Sequence, residues 1–327
     1  MRAVWYEANG DASTVLTVGE LPDPDPGPGM VRVRVAVSGL NPRDVKRRSG
    51  VGGRVMTEPL VVPGDDGAGV IDRVGEGVPA GRVGERVWTH SATYTSPLGT
   101  CAEYVVVPAA NAVRLPDEVD VAVGACLGVP ALTAYRCVFG GGSVDGRTVL
   151  VTGGAGAVGH YAIELAKHGG ARVIATASSG AKQEASAAAG ADVVVDYRRP
   201  DAADRIAELA RPDGVALVVD VDFAANLPLT TAVTAQNGTI ATYSSNSDAY
   251  PRLPFYELMR RSITIRPVLV FQASQAELDD GTALINDLLA TGALTHPIGG
   301  RYALAETAAA HEALESGSVT GKLLIEI

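Results

Sequence analysis

The run Gly153-Gly154-Ala155-Gly156-Ala157-Val158-Gly159 follows a compact apolar strand, Val149-Leu150-Val151-Thr152, and opens an amphipathic segment carrying Ile163, Leu165 and Ala166. Residues of this type at this spacing suit one task, holding a diphosphate. Gly154 permits a tight turn, Gly156 lets the main chain approach a pyrophosphate, and Gly159 lets the following helix lie close on the sheet. The helix N-terminus adds unpaired N–H groups and a positive dipole end. A glycine-rich turn standing alone can bind nothing. Here the strand before it and the helix after it make it a dinucleotide-binding turn, with Gly153, Ala155, Gly156, Ala157 and Val158 as the contacts.

The type of dinucleotide is decided at the end of the next strand, where an enzyme for NAD places an acid against the ribose 2′-hydroxyl. That strand ends Thr176-Ala177-Ser178-Ser179-Gly180-Ala181-Lys182, and between Gly159 and Glu184 the only carboxylate is Glu164, inside the helix. Nothing on the turn would repel a 2′-phosphate. Ser178 and Lys182 can bond it and partly neutralise it. An isolated lysine at a helix start is ordinarily just solvated; joined to the missing acid, Lys182 points to NADPH. Tyr197, after the third strand, can stack or bond near the same end of the cofactor.

Six β-branched runs carry these residues: Thr148 to Thr152, Arg172 to Thr176, Asp192 to Asp196, Ala216 to Asp220, Thr239 to Tyr243 and Ile263 to Val270. Helix-length segments such as Val158 to His168 and Gln275 to Leu289 separate them, which is the grammar of a doubly wound parallel sheet in an α/β protein. Before about residue 115 the pattern differs. Val31, Val33, Val35 and Val37 alternate with Arg32, Arg34, Ala36 and Ser38, the period of a strand with one face on a core. The runs Gly69 to Val74, Arg86 to Trp88 and Tyr104 to Val107 follow between turn residues, describing an irregular all-β region. The last segment, with a helix around Ala305 to Glu315 and a strand Lys322 to Ile327, is expected to return to that region.

Composition agrees with two such units. The chain has 327 residues, 46% of them apolar and only 5% aromatic, a balance suited to buried strands under small-residue helices. A net charge of −10 would repel a phosphate backbone over most of the surface, so nucleic acid is not an expected partner. Cys101, Cys126 and Cys137 are odd in number and widely spaced, which suits buried thiols better than a disulfide framework or a metal knuckle. Met1-Arg2-Ala3-Val4-Trp5-Tyr6 reads straight into a strand without a leader-like apolar run, and no uninterrupted apolar stretch has bilayer length. The expected location is cytoplasmic, with no membrane partner.

With the β region, the turn and the missing acid in view, the chain resembles the zinc-independent, zeta-crystallin-like quinone oxidoreductases of the medium-chain dehydrogenase/reductase superfamily, over essentially its whole length. Its markers are Ser38-Gly39-Leu40-Asn41-Pro42-Arg43-Asp44, Pro63-Gly64-Asp65-Asp66-Gly67-Ala68-Gly69, Ala102-Glu103-Tyr104, Gly128-Val129-Pro130-Ala131-Leu132-Thr133-Ala134-Tyr135, the glycine turn and Thr320-Gly321-Lys322. The resemblance implies a GroES-like catalytic domain of residues 1–124 and 294–327, a Rossmann domain of residues 125–293, and NADPH lying in a cleft between them. It implies a homodimer pairing edge strands through Ile263 to Val270. It gives Asn41 the nicotinamide ribose and Thr133 the carboxamide, these two being the catalytic candidates. Leu269, Val270 and Phe271 would flank the nicotinamide, and Ser244 joins the cofactor contacts. Asn41 and Asp65 stand where zinc relatives place a metal-binding Cys and His, with no Cys/His cluster nearby, so no zinc site is expected. Read without the resemblance, Asn41 is a turn residue before Pro42.

The chain departs from the family pattern in two places. Family members commonly carry a cleft tyrosine after the Ser-Gly matching Ser49-Gly50, where this chain has Val51-Gly52-Gly53. Asp220-Val221-Asp222-Phe223 lacks the Gly that usually follows its strand. The implied function is NADPH-dependent reduction of a small electrophilic substrate, a quinone or the C=C bond of an α,β-unsaturated ketone or thioester, with substrate contacts from Gly50 to Glu58 and His90 to Pro97. A third reading is a catalytically silent NADPH-binding or structural protein.

Overall fold

The structure, a computed structural model, describes residues 1–53, 55–94 and 96–327. The chain divides into two compact units, one of Met1–Val129 with Thr282–Ile327, the other of Pro130–Gly281. Both divisions fall inside helices, away from the boundaries expected at 124/125 and 293/294. The first half of Val121–Phe139 is packed into the β-rich unit, where a β-carbon on Gly124 would fall 2.7 Å from Ala68 Cβ and 3.1 Å from Trp88 Cβ. The second half of Gln275–Ala290 is tied there too. Asn286 accepts a hydrogen bond from the Trp88 indole at 3.1 Å and donates one to the Arg114 carbonyl at 2.9 Å.

In the second unit six strands form one all-parallel sheet, in the order Val193–Val195, Arg172–Thr176, Thr148–Val151, Val215–Asp220, Thr234–Thr242, Thr264–Pro267. Counted along the chain this is 3-2-1-4-5-6, the doubly wound arrangement that the alternating pattern implies. Its central strands are buried on both faces, Val149, Leu150, Val151, Val218, Val219 and Ile240 among them, which is why they read as unbroken apolar runs. The strand order reverses between Thr148–Val151 and Val215–Asp220. The carboxyl ends of these two strands are therefore where such a sheet takes a ligand. The edge strand stops at Pro267, short of the expected Val270, with the Val268 N–H making a last bond to the Thr242 carbonyl at 2.8 Å; a single 3₁₀ turn, Val270–Gln272, follows.

The first unit is built on a seven-stranded sheet in which Met30–Leu40 is central, pairing antiparallel with Asp66–Val74, Tyr104–Pro108 and the C-terminal strand Lys322–Glu326. The alternation in Met30–Leu40 does not put every polar residue in water. Arg32 is buried, forked onto Asp72 at 2.9 and 2.6 Å and stacked over the Tyr104 ring at 4.5 Å.

An eight-residue helix, Pro42–Ser49, interrupts what reads as an all-β region. Asn41 and Pro42 are its N-cap and first residue, and the Asp44 carboxylate reaches back to the Asn41 N–H at 2.8 Å. Gly50, at φ 75°, ends it. One further difference concerns Val121–Phe139, which is long and apolar enough to cross a bilayer by composition; 72% of its apolar window is buried inside the protein, as in a core helix.

Candidate active site

The glycine turn joins the strand Thr148–Val151 to the helix Ala157–His168, and each glycine has a distinct reason to be there. The left-handed residue is Gly153, at φ 64°, and not Gly154. Gly154 instead permits close packing, since a β-carbon there would lie 2.8 Å from Ser186 Oγ and 3.0 Å from both Ala175 Cβ and Ile163 Cδ1. Gly159 brings the helix onto the turn itself: its β-carbon would collide with the Gly153 carbonyl. A β-carbon on Gly156 would meet only the Gly153 carbonyl, at a tight 3.3 Å. Gly156 is also the N-cap, and no side chain caps this end. The first helical N–H groups are thus left for an anion, at the positive end of a 12-residue helix.

A buried polar knot fixes the strand ends around this turn. Asp220 accepts hydrogen bonds from Thr152 Oγ1 at 2.9 Å, Asn226 Nδ2 at 2.8 Å and Thr242 Oγ1 at 3.1 Å, linking the ends of three neighbouring strands. Burial pushes its carboxyl up from the usual range. Val221, at the departure from glycine, donates its N–H to Thr152 Oγ1 at 2.9 Å and sets its side chain beside Gly153, so it braces the turn.

At the end of the second strand, Ala177 is buried, Ser178 is half-buried and Ser179 caps the helix Gly180–Ala188. Lys182 lies in that helix's first turn, half-buried, with its N–H on Ser179 Oγ at 3.4 Å and its carbonyl accepting from Ser186 Oγ at 2.9 Å. Tyr197 is 47% exposed, beyond the third strand.

Two other groups of expected contacts are brought together within the second unit. Ser244 and Leu269 line one cavity of about 520 Å³ with Phe223, Thr242, Pro251 and Val268. Leu269 presents its carbonyl to Arg136 at 2.6 Å, and Arg136 follows the buried Thr133 by one turn on the same helix. The loop Leu269-Val270-Phe271 is thereby tied to the helix that carries Thr133.

In the first unit Asn41 is 3% exposed, and its side chain does not cap its own helix. Its amide nitrogen donates to Asp66 Oδ2 at 2.8 Å and to the Gly39 carbonyl at 3.3 Å, while its oxygen accepts from Lys322 Nζ at 2.6 Å. Lys322 Nζ also pairs with Asp66 Oδ2 at 2.8 Å. Asp65 is held separately, by Arg43, by the Thr93 N–H at 3.1 Å and by the Thr93 hydroxyl at 2.7 Å. Asp44 accepts from the Asn41 and Gly64 N–H groups. Burial and the neighbouring Asp65 push its carboxyl up to about 7. A cation is thus bonded to each of the two side chains, Lys322 to Asn41 and Arg43 to Asp65. In the sequence Asp66 and Lys322 figure only as family markers; the further signal available is a charge set directly against an apolar run, Lys322 before Leu323-Leu324-Ile325.

The stretches expected to face substrate are partly described, Arg54 and Thr95 lying outside the described residues. Tyr6, Arg43, Arg47, Met56, Glu58 and Val61 line a cavity of about 290 Å³. Gly52 and Gly53 both have positive φ, 77° and 76°, so a tyrosine at 52 would be strained in this backbone. Cys101, Cys126 and Cys137 are buried free thiols, pushed up to about 12, 11 and 12 by burial.

These features define a nucleotide-binding protein with a Rossmann-type unit and a separate β-rich unit. Residues 27–117 match the family model described as alcohol dehydrogenase GroES-like domain, and residues 157–287 that described as zinc-binding dehydrogenase. The chain is 30% identical to a quinone oxidoreductase of Homo sapiens, over 88% of this chain and 86% of that one. A 2-haloacrylate reductase of Burkholderia is 29% identical, over 88% and 87%. Among solved structures, a mycobacterial protein complexed with NADPH superposes with TM-score 0.88 and 32% identity over 100% of both chains. The chain belongs to the zinc-independent quinone oxidoreductase family of medium-chain dehydrogenases/reductases.

Proposed function

We propose that this chain is an NADPH-dependent oxidoreductase that reduces quinones by hydride transfer without zinc. The observation that carries the reading is the uncapped N-terminus of Ala157–His168 behind Gly156, in the same unit as an acid-free second strand end followed by Lys182. The likeness to the human quinone oxidoreductase and to the NADPH-complexed mycobacterial protein supports it. On this reading Gly153, Ala155, Gly156, Ala157 and Val158 take the diphosphate through backbone N–H groups. Ser178 and Lys182 take the 2′-phosphate, and Tyr197 packs at that end. Ser244, Thr133 and the loop Leu269-Val270-Phe271 hold the nicotinamide half, and Asn41 its ribose.

Bound NADPH supplies a hydride to an electron-poor centre. The chain's residues supply placement: they hold cofactor and substrate in a geometry from which transfer is short, which removes much of the entropic part of the barrier. Reduction of an activated C=C bond is a second reading, supported by the likeness to the Burkholderia 2-haloacrylate reductase. Measuring NADPH oxidation with a panel of quinones and enones tests both. Turnover of quinones supports the first reading, turnover of enones alone the second, and tight NADPH binding with no turnover on either overturns both.

The reading also includes a homodimer through the edge strand Thr264–Pro267, supported by the exposed Leu253, Phe255, Tyr256 and Met259 in the segment before that strand. It includes a cytoplasmic setting, in keeping with three buried thiols left unpaired. Light scattering giving one chain's mass at micromolar concentration would refute the dimer.

A further inference from the structure

Four separate sequence markers converge on one buried cluster. Asn41, Asp66, the Val129 N–H and Lys322 come from the residue before Pro42, the start of the strand Asp66–Val74, the helix Val121–Phe139 and the C-terminal strand. Asp66 Oδ1 accepts from the Val129 N–H at 2.8 Å, and its Oδ2 accepts from both Asn41 Nδ2 and Lys322 Nζ at 2.8 Å. Asp66 is fully buried and Lys322 is 4% exposed. The backbone is shaped to admit them. A β-carbon on Gly39 would fall 2.8 Å from Lys322 Cε, and one on Gly128 would collide with the Asp66 carboxylate.

The network fixes which way the Asn41 amide points. Turned over, it would set its NH₂ against the Lys322 ammonium and its carbonyl against the Asp66 carboxylate and the Gly39 carbonyl, repulsion in place of every hydrogen bond it now makes. In the observed orientation both amide hydrogens are committed. The capacity left is the second lone pair of Oδ1, so Asn41 can accept one more hydrogen bond and donate none.

We propose that Lys322 and Asp66 are positioning residues for hydride transfer: their buried ion pair holds Asn41 as a one-way acceptor for a hydroxyl of the nicotinamide ribose. The proposal rests on the reading of Asn41 given above and adds the direction of its bond and the residues that enforce it. It also accounts for a lysine buried at the start of an apolar strand, where an ammonium without such partners would be costly.

A double-mutant cycle on the full chain, read as kcat, quinone KM and NADPH dissociation constant, tests it. Asn41→Ala and Lys322→Met should each lower kcat about 10- to 100-fold with quinone KM little changed, as for a displaced reacting group. Combining them should cost no more than the worse single change, because Lys322 acts through Asn41. A double variant whose loss is the product of the two single losses overturns the proposal, as does Lys322→Met with full kcat per folded molecule and only a lower melting temperature. Asp66→Asn, nearly isosteric, carries the same expectation and takes the place of Lys322→Met should that variant fail to fold. The reading of Asn41 itself fails differently: Asn41→Ala alone would then leave kcat and NADPH affinity unchanged.

Discussion

The first turn of the helix Ala157–His168 lies directly on Gly153, so that any β-carbon at Gly159 would enter the Gly153 carbonyl. At Gly156 the same atom would only press on that carbonyl, at 3.3 Å. The two glycines therefore serve different ends, one the turn's packing and the other whatever the turn binds. Gly159→Ala must push helix from turn, and should cost about 1–3 kcal/mol of stability together with NADPH affinity. Gly156→Ala, which asks the same carbonyl to give by only a few tenths of an ångström, should cost less stability than Gly159→Ala yet weaken NADPH binding several-fold. Thermal melts alongside cofactor titrations check both. Equal melting temperatures for the two variants would contradict this division.

Metal should be dispensable. Lys322 holds Asn41 and Asp66, and Arg43 holds Asp65, so a divalent ion would have to displace two resident cations from buried partners. Prolonged dialysis against EDTA is expected to leave the rate of NADPH oxidation unchanged. About one zinc per chain, lost together with activity, would contradict this.

What is legible in the sequence and what is not divides along physical lines. The parallel strands are legible because burial on both faces leaves no room for polar residues, as in Val149-Leu150-Val151. The diphosphate turn is legible because glycine spacing is a local property. The helix Pro42–Ser49 is hidden, since Asn-Pro signals a turn and a helix start equally well, and only the Asp44 carboxylate on the Asn41 N–H separates them. The Asn41, Asp66 and Lys322 cluster is hidden for another reason. Asn41 and Lys322 are 281 positions apart, and no local pattern reports a pairing that the sheet alone creates.

Acid should destabilise the fold through two buried histidines. Burial holds His311 down to about 3, with the Arg48 guanidinium adding to the effect, and holds His90 down to about 4. Neither ring nitrogen of His311 has a hydrogen-bond partner among the described residues. An unfolded histidine takes its proton near pH 6.5, so the unfolded chain binds more protons and stability falls as pH drops from about 6.5 toward 4. Each histidine contributes on the order of 3 kcal/mol to that loss at the low end of the window. Asp44, raised to about 7, works in the opposite direction and offsets part of it. His311→Leu should therefore shift the melting temperature more favourably at pH 5 than at pH 7.5. An equal shift at both values would show that His311 is not the group being charged.

The chain should prefer NADPH to NADH, and Lys182→Glu should remove most of that preference. Lys182 sits half-buried in the first turn of Gly180–Ala188, a helix capped by Ser179 and preceded by the half-buried Ser178, with no carboxylate on the strand end before it. A 2′-phosphate carries close to two negative charges, so the ammonium and the Ser178 hydroxyl can each make a charge-assisted hydrogen bond to it. Solvent screening weakens both. Taking roughly 1 to 3 kcal/mol for the pair of contacts, discrimination between the cofactors should be about 5- to 150-fold in dissociation constant. Glutamate at 182 deletes the attraction and adds a repulsion, the two arms of a specificity change. NADH, with a hydroxyl in place of the phosphate, should bind wild type and variant nearly alike. Dissociation constants of both cofactors for both proteins decide the matter: equal wild-type affinities, or an NADPH affinity that survives the substitution, would place the 2′-phosphate elsewhere.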